Sequence, residues 1–363
     1  MSRPRIPVLA ALAFAPSLLT AARGVRRSLG AGTRRFDYTA SPQFADGLFH
    51  NRLATTDTPS GSTAGMAAEF ATKGRKGKPR QPVRLVTPDL AEQAADLAAT
   101  WLGHATVLLE LEGRWVLTDP VWSERVSPSR TVGPRRNHPV PMPLADLPRL
   151  SAVLISHDHY DHLDTATIET LLRTQDMPFV VPLGIGEHLS RWGVPDDRIV
   201  ELDWDQAHVV DGLTFTCTEA RHFSGRSLGN NTTLWASWVL AGEQRRVFFG
   251  GDSGYTPAFA GIGERYGPFD LTILPIGAYD VRWPDVHMDP AEAVQAHLEL
   301  RGATLLPIHW ATFDLAFHEW ADPVEWVVKE TANQGVALAV PAPGARFEPA
   351  GELPAEPWWQ ASL

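Results

Sequence analysis

Between positions 157 and 162 the chain reads His157-Asp158-His159-Tyr160-Asp161-His162, three imidazoles and two carboxylates within six residues. Alternate residues of an extended segment project to one side, so His157 and His159 are expected to point together. Two imidazoles so placed form half of a tetrahedral zinc site. Asp161 and His162 add a carboxylate and another imidazole, enough to begin a second site. A surface histidine patch or a single structural zinc would use the same residues, so donors elsewhere in the chain must decide between the readings. Three candidates stand where apolar segments end: His222, Asp252 and His309. Each alone is weak; Asp252, in Gly250-Gly251-Asp252-Ser253-Gly254, reads equally well as a turn residue. Their shared placement after strands argues for convergence on one dinuclear centre. With no cysteine near any of them the donors are nitrogen and oxygen, which suits zinc and leaves manganese or iron open.

The elements that must position these residues follow from the hydrophobic pattern. Trp101–Leu111 and Arg114–Leu117 read as strands turned at Glu112-Gly113. Ser151–Ser156 is a short apolar run of buried-strand type that ends at the histidine cluster. Residues 213–218 alternate apolar and hydroxyl-bearing side chains, with Cys217 on the face of Leu213 and Phe215, where it packs in the core. Further apolar runs at 246–250, 271–276 and 304–308 end at Asp252, at Tyr279 and at His309. Asp289-Pro290-Ala291-Glu292 carries the signals that open a helix, here to about Leu300. The proline-rich stretch 123–149 predicts a long irregular loop, and 54–84 reads as linker or wrapping loop. Strands that alternate first with turns and then with helices imply an α/β sandwich of two sheets covered by helices. The expected organisation is an N-terminal extension over 1–84, a hydrolase domain over 85–348 and a tail over 349–363. The aromatic stretch Phe36 to Phe49 is expected to pack on the domain.

Composition sets limits on function. In 363 residues, 44% are hydrophobic and 20% charged, as in a globular protein with a sizeable core. A net charge of −10 argues against wholesale nucleic-acid binding. The charge is uneven, however: residues 1–36 hold seven arginines and no acid, and Lys73, Arg75, Lys76, Lys78, Arg80 and Arg84 form a second basic run. Such runs are commonly solvated; near an anionic lipid surface each basic residue contributes about 1 kcal/mol of attraction. Arg3 and Arg5 precede an apolar stretch too short to span a membrane, which suggests a signal peptide. The arginines that follow favour an uncleaved interfacial anchor and a protein in the cytoplasm or on the inner membrane face. Residues 1–35 are then expected to be dispensable for hydrolysis of a dispersed substrate. The single cysteine allows no intrachain disulfide, and most of the 13 tryptophans are expected in the core.

Longer stretches carry a family resemblance. Trp101-Leu-Gly-His-Ala-Thr106, Ser156 to Asp164, Glu201-Leu-Asp-Trp204, Gly251-Asp-Ser-Gly-Tyr255, Gly267-Pro-Phe-Asp270, Pro275-Ile-Gly-Ala-Tyr279 and Ile308-His-Trp310 occur in this order. Over about 95–330 the chain resembles the metallo-β-lactamase superfamily, and within it the N-acylphosphatidylethanolamine-hydrolysing phospholipases D and their bacterial relatives. The resemblance implies the four-layered αβ/βα sandwich, two sheets flanked by helices. It implies two zinc ions per chain, one on His157, His159 and His222, the other on Asp161, His162 and His309, with Asp252 bridging. His287 matches a histidine beside the substrate phosphate, before a helix N-terminus that itself favours an anion; Tyr160 joins it as a substrate-binding residue. His104 falls outside the ligand set.

The implied reaction is attack of activated water on the phosphorus of a phosphodiester, with Asp252 orienting the nucleophile and His287 stabilising the new charge. The products would be phosphatidic acid and an N-acylethanolamine. The chain departs from the family in its N-terminal third, at Val286 and in the short polar stretch 223–231, which leaves substrate choice open. A lactonase or other hydrolase of small esters or phosphates is the rival reading, and a non-enzymic metal-binding protein a third. True β-lactamase activity is disfavoured because Cys217 is not placed as a ligand. Expected partners are a phospholipid or a small phosphate-bearing substrate and, peripherally, an anionic membrane; no nucleic acid is expected, and a homodimer is compatible.

Overall fold

A computed structural model describes residues 24–30, 37–55, 63–226 and 230–363. The leader expected over residues 1–22 and positions 227–229 of the polar stretch lie outside it. After a two-stranded hairpin, β1 (Phe44–Ala45) and β2 (Leu48–Phe49), a first sheet is built from β3 (Leu97–Gly103), β4 (Thr106–Leu111), β5 (Arg114–Thr118), β6 (Ala152–Leu154), β7 (Phe179–Pro182) and β8 (Ile199–Leu202). The second comprises β9 (Ala207–Val210), β10 (Leu213–Thr218), β11 (Ser237–Ala241), β12 (Arg246–Phe249), β13 (Phe269–Pro275), β14 (Gly302–Ile308) and β15 (Ala337–Leu338). The short β16 (Arg346–Phe347) returns to pair with β3 in the first sheet.

Each sheet changes character at its middle. In the first, β3, β4 and β5 are antiparallel and β5 to β8 parallel; in the second, β9 to β12 are antiparallel and β12 to β15 parallel. Parallel neighbours need long crossovers. These are supplied by α2 (Thr165–Thr174) and α3 (Ile185–Trp192) on the first sheet, and by α4 (Ala258–Tyr266), α5 (Pro290–Glu299) and α6 (Asp322–Gln334) on the second; α1 (Thr63–Thr72) precedes the sheets. No described helix is long and apolar enough to cross a membrane.

Side-chain alternation sorts the layers. Val107, Leu109 and Leu111 of β4 join Leu213, Phe215 and Cys217 of β10 in the core between the sheets. Leu108, on the opposite face of β4, packs with Ile168, Leu171, Ile185 and Leu189 of α2 and α3. The result is the helix–sheet–sheet–helix sandwich expected from the sequence. Cys217 is fully buried, and burial pushes its thiol well above the usual value. Ten of the 13 tryptophans are buried as well.

Three local features differ from expectation. The run 101–111 is two strands, because the chain turns at His104 (φ 55°). The expected linker or wrapping loop 54–84 contains α1, whose Glu69 pairs with Arg282 (2.8 Å) and which Lys73, just past its end, anchors to Asp314 (2.6 Å). Residues beyond 349 turn inward to bury Trp358 and Trp359 beside Trp310. As expected, Tyr38 and Phe49 of the extension pack into the core, and 123–149 holds only one short 3-10 turn and an isolated bridge.

Candidate metal centre

The donors stand at strand ends along one edge of the sandwich. The 157–162 segment follows β6, His222 follows β10, Asp252 follows β12 and His309 follows β14. Three residues here adopt left-handed backbone: His104 (φ 55°), Asp119 (φ 35°) and His309 (φ 63°). Each costs a non-glycine residue about 1–2 kcal/mol, and such strain persists where the surroundings impose it. The two histidine turns support one another, since His309 N–H donates to the His104 carbonyl at 3.0 Å. Gly251 lets the Asp252 turn reach the cluster: a Cβ there would lie 2.4 Å from Ser156 Cβ.

Two sets of donors result. In the first, His159 Nδ1 lies 2.9 Å from His157 Nε2 and 3.3 Å from His222 Nε2. The other nitrogens of the outer pair are engaged. His222 Nδ1–H donates to the Val286 carbonyl at 2.8 Å. Ser156 Oγ gives its proton to Asp119 (2.6 Å) and so accepts from His157 Nδ1–H (2.9 Å). Both rings therefore turn a lone pair inward, as metal-binding imidazoles do. In the second set, Asp161 Oδ2 lies 3.5 Å from His162 Nε2, 3.4 Å from His309 Nε2 and 2.8 Å from His104 Nε2. Asp252 Oδ2 stands between the sets, 3.1 Å from His162 and His309, 3.8 Å from His157 and 3.9 Å from His222.

Electrostatics separates the sets further. Burial and neighbouring imidazoles hold His157 well below its ordinary value, and burial does so for His222 against the pull of Asp252. Burial also opposes charge on His162 and His309, yet the Asp252 and Asp161 carboxylates overcome it. They raise His162 well above its ordinary value and His309 to about 9. Both carboxylates lie well below theirs, because the facing imidazoles outweigh burial. The field thus draws positive charge to one point.

The residues fit a divalent metal. His162 Nε2, both ring nitrogens of His309 and Asp252 Oδ1 are buried without a hydrogen-bond partner. An unsatisfied buried polar atom costs about 1–3 kcal/mol and is rare in a folded interior. A cation bound at His162 Nε2, at one nitrogen of His309 and at Asp252 Oδ1 removes most of the cost.

His287 also joins the cluster, its Nδ1 3.9 Å from Asp252 Oδ2 and without a hydrogen-bond partner. The helix N-terminus behind it is already closed: Asp289 accepts from Glu292 N–H and Glu292 from Asp289 N–H. The anion attraction expected of that terminus is answered by the chain's own carboxylates, so His287 faces the cavity without it. Tyr160 lines the cavity with its ring, while its hydroxyl donates to the Arg226 carbonyl at 2.5 Å.

The cavity above the donors measures about 340 Å³. Its floor includes His159, Asp161, Asp252, His287 and His309, and its walls are Val126, Tyr160, Phe223, Trp283, Val286 and Leu315. Few polar groups interrupt those walls.

Sequence reasoning missed two contributors, Asp119 and Arg226. Asp119, fully buried after β5, accepts from Ser156 N–H (2.7 Å), Ser156 Oγ–H (2.6 Å) and His162 Nδ1–H (2.7 Å). His104, read from the sequence as outside the ligand set, holds Asp161 at 2.8 Å. Arg226 touches the 157–163 segment from behind. Only Asp119 left a local signal, an acid followed by proline at a strand end.

A model of the β-lactamase superfamily domain matches residues 114–310. An uncharacterised protein of Mycobacterium tuberculosis is 49% identical over 361 residues, spanning 97% of this chain and 96% of that one. The N-acyl-phosphatidylethanolamine-hydrolyzing phospholipase D 1 of Caenorhabditis elegans is 41% identical over 251 residues, 66% of this chain and 70% of the relative. Among solved structures, a metallo hydrolase of the archaeon Ignicoccus hospitalis superposes with a TM-score of 0.52 at 24% identity, covering 69% of this chain and 98% of the other.

Proposed function

Because the chain belongs to the metallo-β-lactamase superfamily, whose fold and donor set mark a metal-dependent hydrolase, we propose that it is a dinuclear zinc phosphodiesterase of phospholipase D type. The observation that carries the reading is Asp252 Oδ2, within 3.9 Å of both histidine sets beneath an apolar-walled cavity. In this reading His157, His159 and His222 would hold one ion and Asp161, His162 and His309 the other, with Asp252 Oδ2 within 3.9 Å of both sets. Ions so held supply Lewis acidity toward a water and toward phosphoryl oxygens.

The protein's own groups do the rest. Asp252 orients the attacking water. His287 hydrogen-bonds the phosphoryl oxygen on which charge grows. The apolar walls take the acyl chains and exclude bulk water from the floor. Water adds at phosphorus, the bond to the ethanolamine oxygen breaks, and that oxygen takes up a proton. The products are phosphatidic acid and an N-acylethanolamine. The N-acyl-phosphatidylethanolamine-hydrolyzing relative of Caenorhabditis supports this lipid class. We place the protein in the cytoplasm or on the inner membrane face, drawn to anionic lipid by its basic N-terminal residues.

Metal analysis of the purified protein, then assay on N-acylphosphatidylethanolamine vesicles beside a panel of lactones, tests the reading. Two zinc ions per chain and release of the ethanolamide are expected. Turnover of lactones alone would replace it with a lactonase, and zinc without hydrolysis with a metal-dependent binding protein.

A further inference from the structure

Arg226 follows His222 by one turn of loop and is buried, with 4% of its surface exposed. Its guanidinium lies 4.2 Å from the Tyr160 ring centre and 5.2 Å from that of Trp192. One nitrogen, Nη1, donates to the Asp158 carbonyl at 2.7 Å and to the Leu163 carbonyl at 2.6 Å. It thereby ties together the two ends of the segment that carries His159, Asp161 and His162. Nη2 reaches Thr165 Oγ1 at the start of α2 (3.4 Å), and Nε donates to the Ser28 carbonyl (3.1 Å).

Residues 24–30 close the outer side of this clamp. Arg27 Nη2 donates to the Trp192 carbonyl at 3.1 Å, and Trp192 Nε1 donates to the Arg27 carbonyl at 3.0 Å. Arg27 also pairs with Glu169 of α2. Gly30 (φ 79°) lies so close to His188 that an added Cβ would stand 2.2 Å from its Nδ1. His188 Nε2 in turn lies 3.2 Å from Asp158 Oδ2.

A buried guanidinium needs acceptors for its rigid fork of N–H groups, and the carbonyls of an irregular segment need donors. Each solves the other's problem here. The 157–163 segment has no sheet partner to fix its curvature, and that curvature decides whether its imidazoles and carboxylate face two metal positions. We propose that Arg226 is the positioning residue of the metal-binding segment and that residues 24–30 hold Arg226 in place. The N-terminal segment is then part of the metal centre's frame, not the dispensable leader expected from its composition. This rests on the metal-centre reading above.

Full-length protein is loaded with zinc or cobalt(II), and metal loss to excess chelator is followed beside the cobalt absorption spectrum and thermal unfolding of the metal-free form. The variants are Arg226→Ala, Arg226→Lys and the double Arg27→Ala/Gly30→Val, none of which alters a proposed ligand. Arg226→Ala and the double variant are expected to lose metal about 10- to 100-fold faster, with a shifted cobalt spectrum and near-parental unfolding. Arg226→Lys, which keeps the charge without the fork, should fall between parent and alanine. Metal loss within about twofold of the parent and an unchanged spectrum in the double variant overturn the proposal, and this variant decides if Arg226→Ala fails to fold. A parent protein that takes up neither metal overturns the metal-centre reading itself, and this proposal with it.

Discussion

Asp252 Oδ2 stands 3.1 Å from His309 Nε2, although the two residues end different strands of the second sheet and β13 lies between them. The same oxygen is 3.1 Å from His162 at the end of a strand in the other sheet. One carboxylate thus joins loops from both halves of the sandwich. Asp252→Ala should reduce bound metal and abolish turnover, as read by elemental analysis and the vesicle assay on one preparation. A fully active alanine variant would remove the dinuclear assignment.

His287→Ala should leave metal content and unfolding unchanged while lowering kcat about 100- to 1000-fold, the usual cost of removing one donor to a developing oxyanion. A rise in KM alone, with kcat intact, would instead make His287 a ground-state binding group.

Asp119 does not line the cavity above the donors, so its effect should be indirect. Asp119→Ala strips partners from Ser156 and His162. Metal affinity should fall about 10- to 100-fold, measurable by competition with a chromogenic chelator. Asp119→Asn, which keeps the shape, should lose less.

The cavity walls should read chain length. Leu315→Asp and Trp283→Asp should depress hydrolysis of long-chain vesicular substrate far more than that of a soluble short-chain diester. Equal loss on both would assign the walls a structural role.

His297 is buried beneath β13, its Nδ1 2.7 Å from Thr272 Oγ1, and burial lowers its value to about 4. An unfolded histidine titrates near 6.5. Between those values the unfolded chain binds a proton that the folded chain refuses. The contribution is therefore complete above about pH 6.5 and is lost as pH falls toward 4, by up to about 3 kcal/mol. Denaturant unfolding of the metal-free protein at pH 7.5 and 4.5 should show a smaller difference for His297→Gln than for the parent.

The elements legible in the sequence were those with local signatures. The Asp289-Pro290-Glu292 box opened α5 where it was expected, and 213–218 formed β10 over the same residues. The histidine cluster announced the site because its donors are neighbours in the chain. His222, Asp252 and His309 could be read only as three residues after three apolar runs; their convergence is a property of strand order. The contacts of Asp119 and Arg226 join segments with no shared periodicity, and a buried arginine whose partners are backbone carbonyls leaves no complementary acid to find. The break at His104 was hidden because strand-forming residues flank it on both sides, although Gly103 was a turn signal within the run.

Behind His309 the rings of Trp101 and Trp310 stack with centres 5.6 Å apart, and Trp358 lies 5.3 Å from Trp310. Trp310 is the residue next to His309, so a chromophore cluster sits against the site with one member bonded to a donor residue. Cobalt(II) held at His309, an open-shell ion, would quench excited indoles at such short range. The protein therefore carries its own optical gauge. Quenching of its native fluorescence would follow occupancy of that half of the centre in real time, without a label or a substrate.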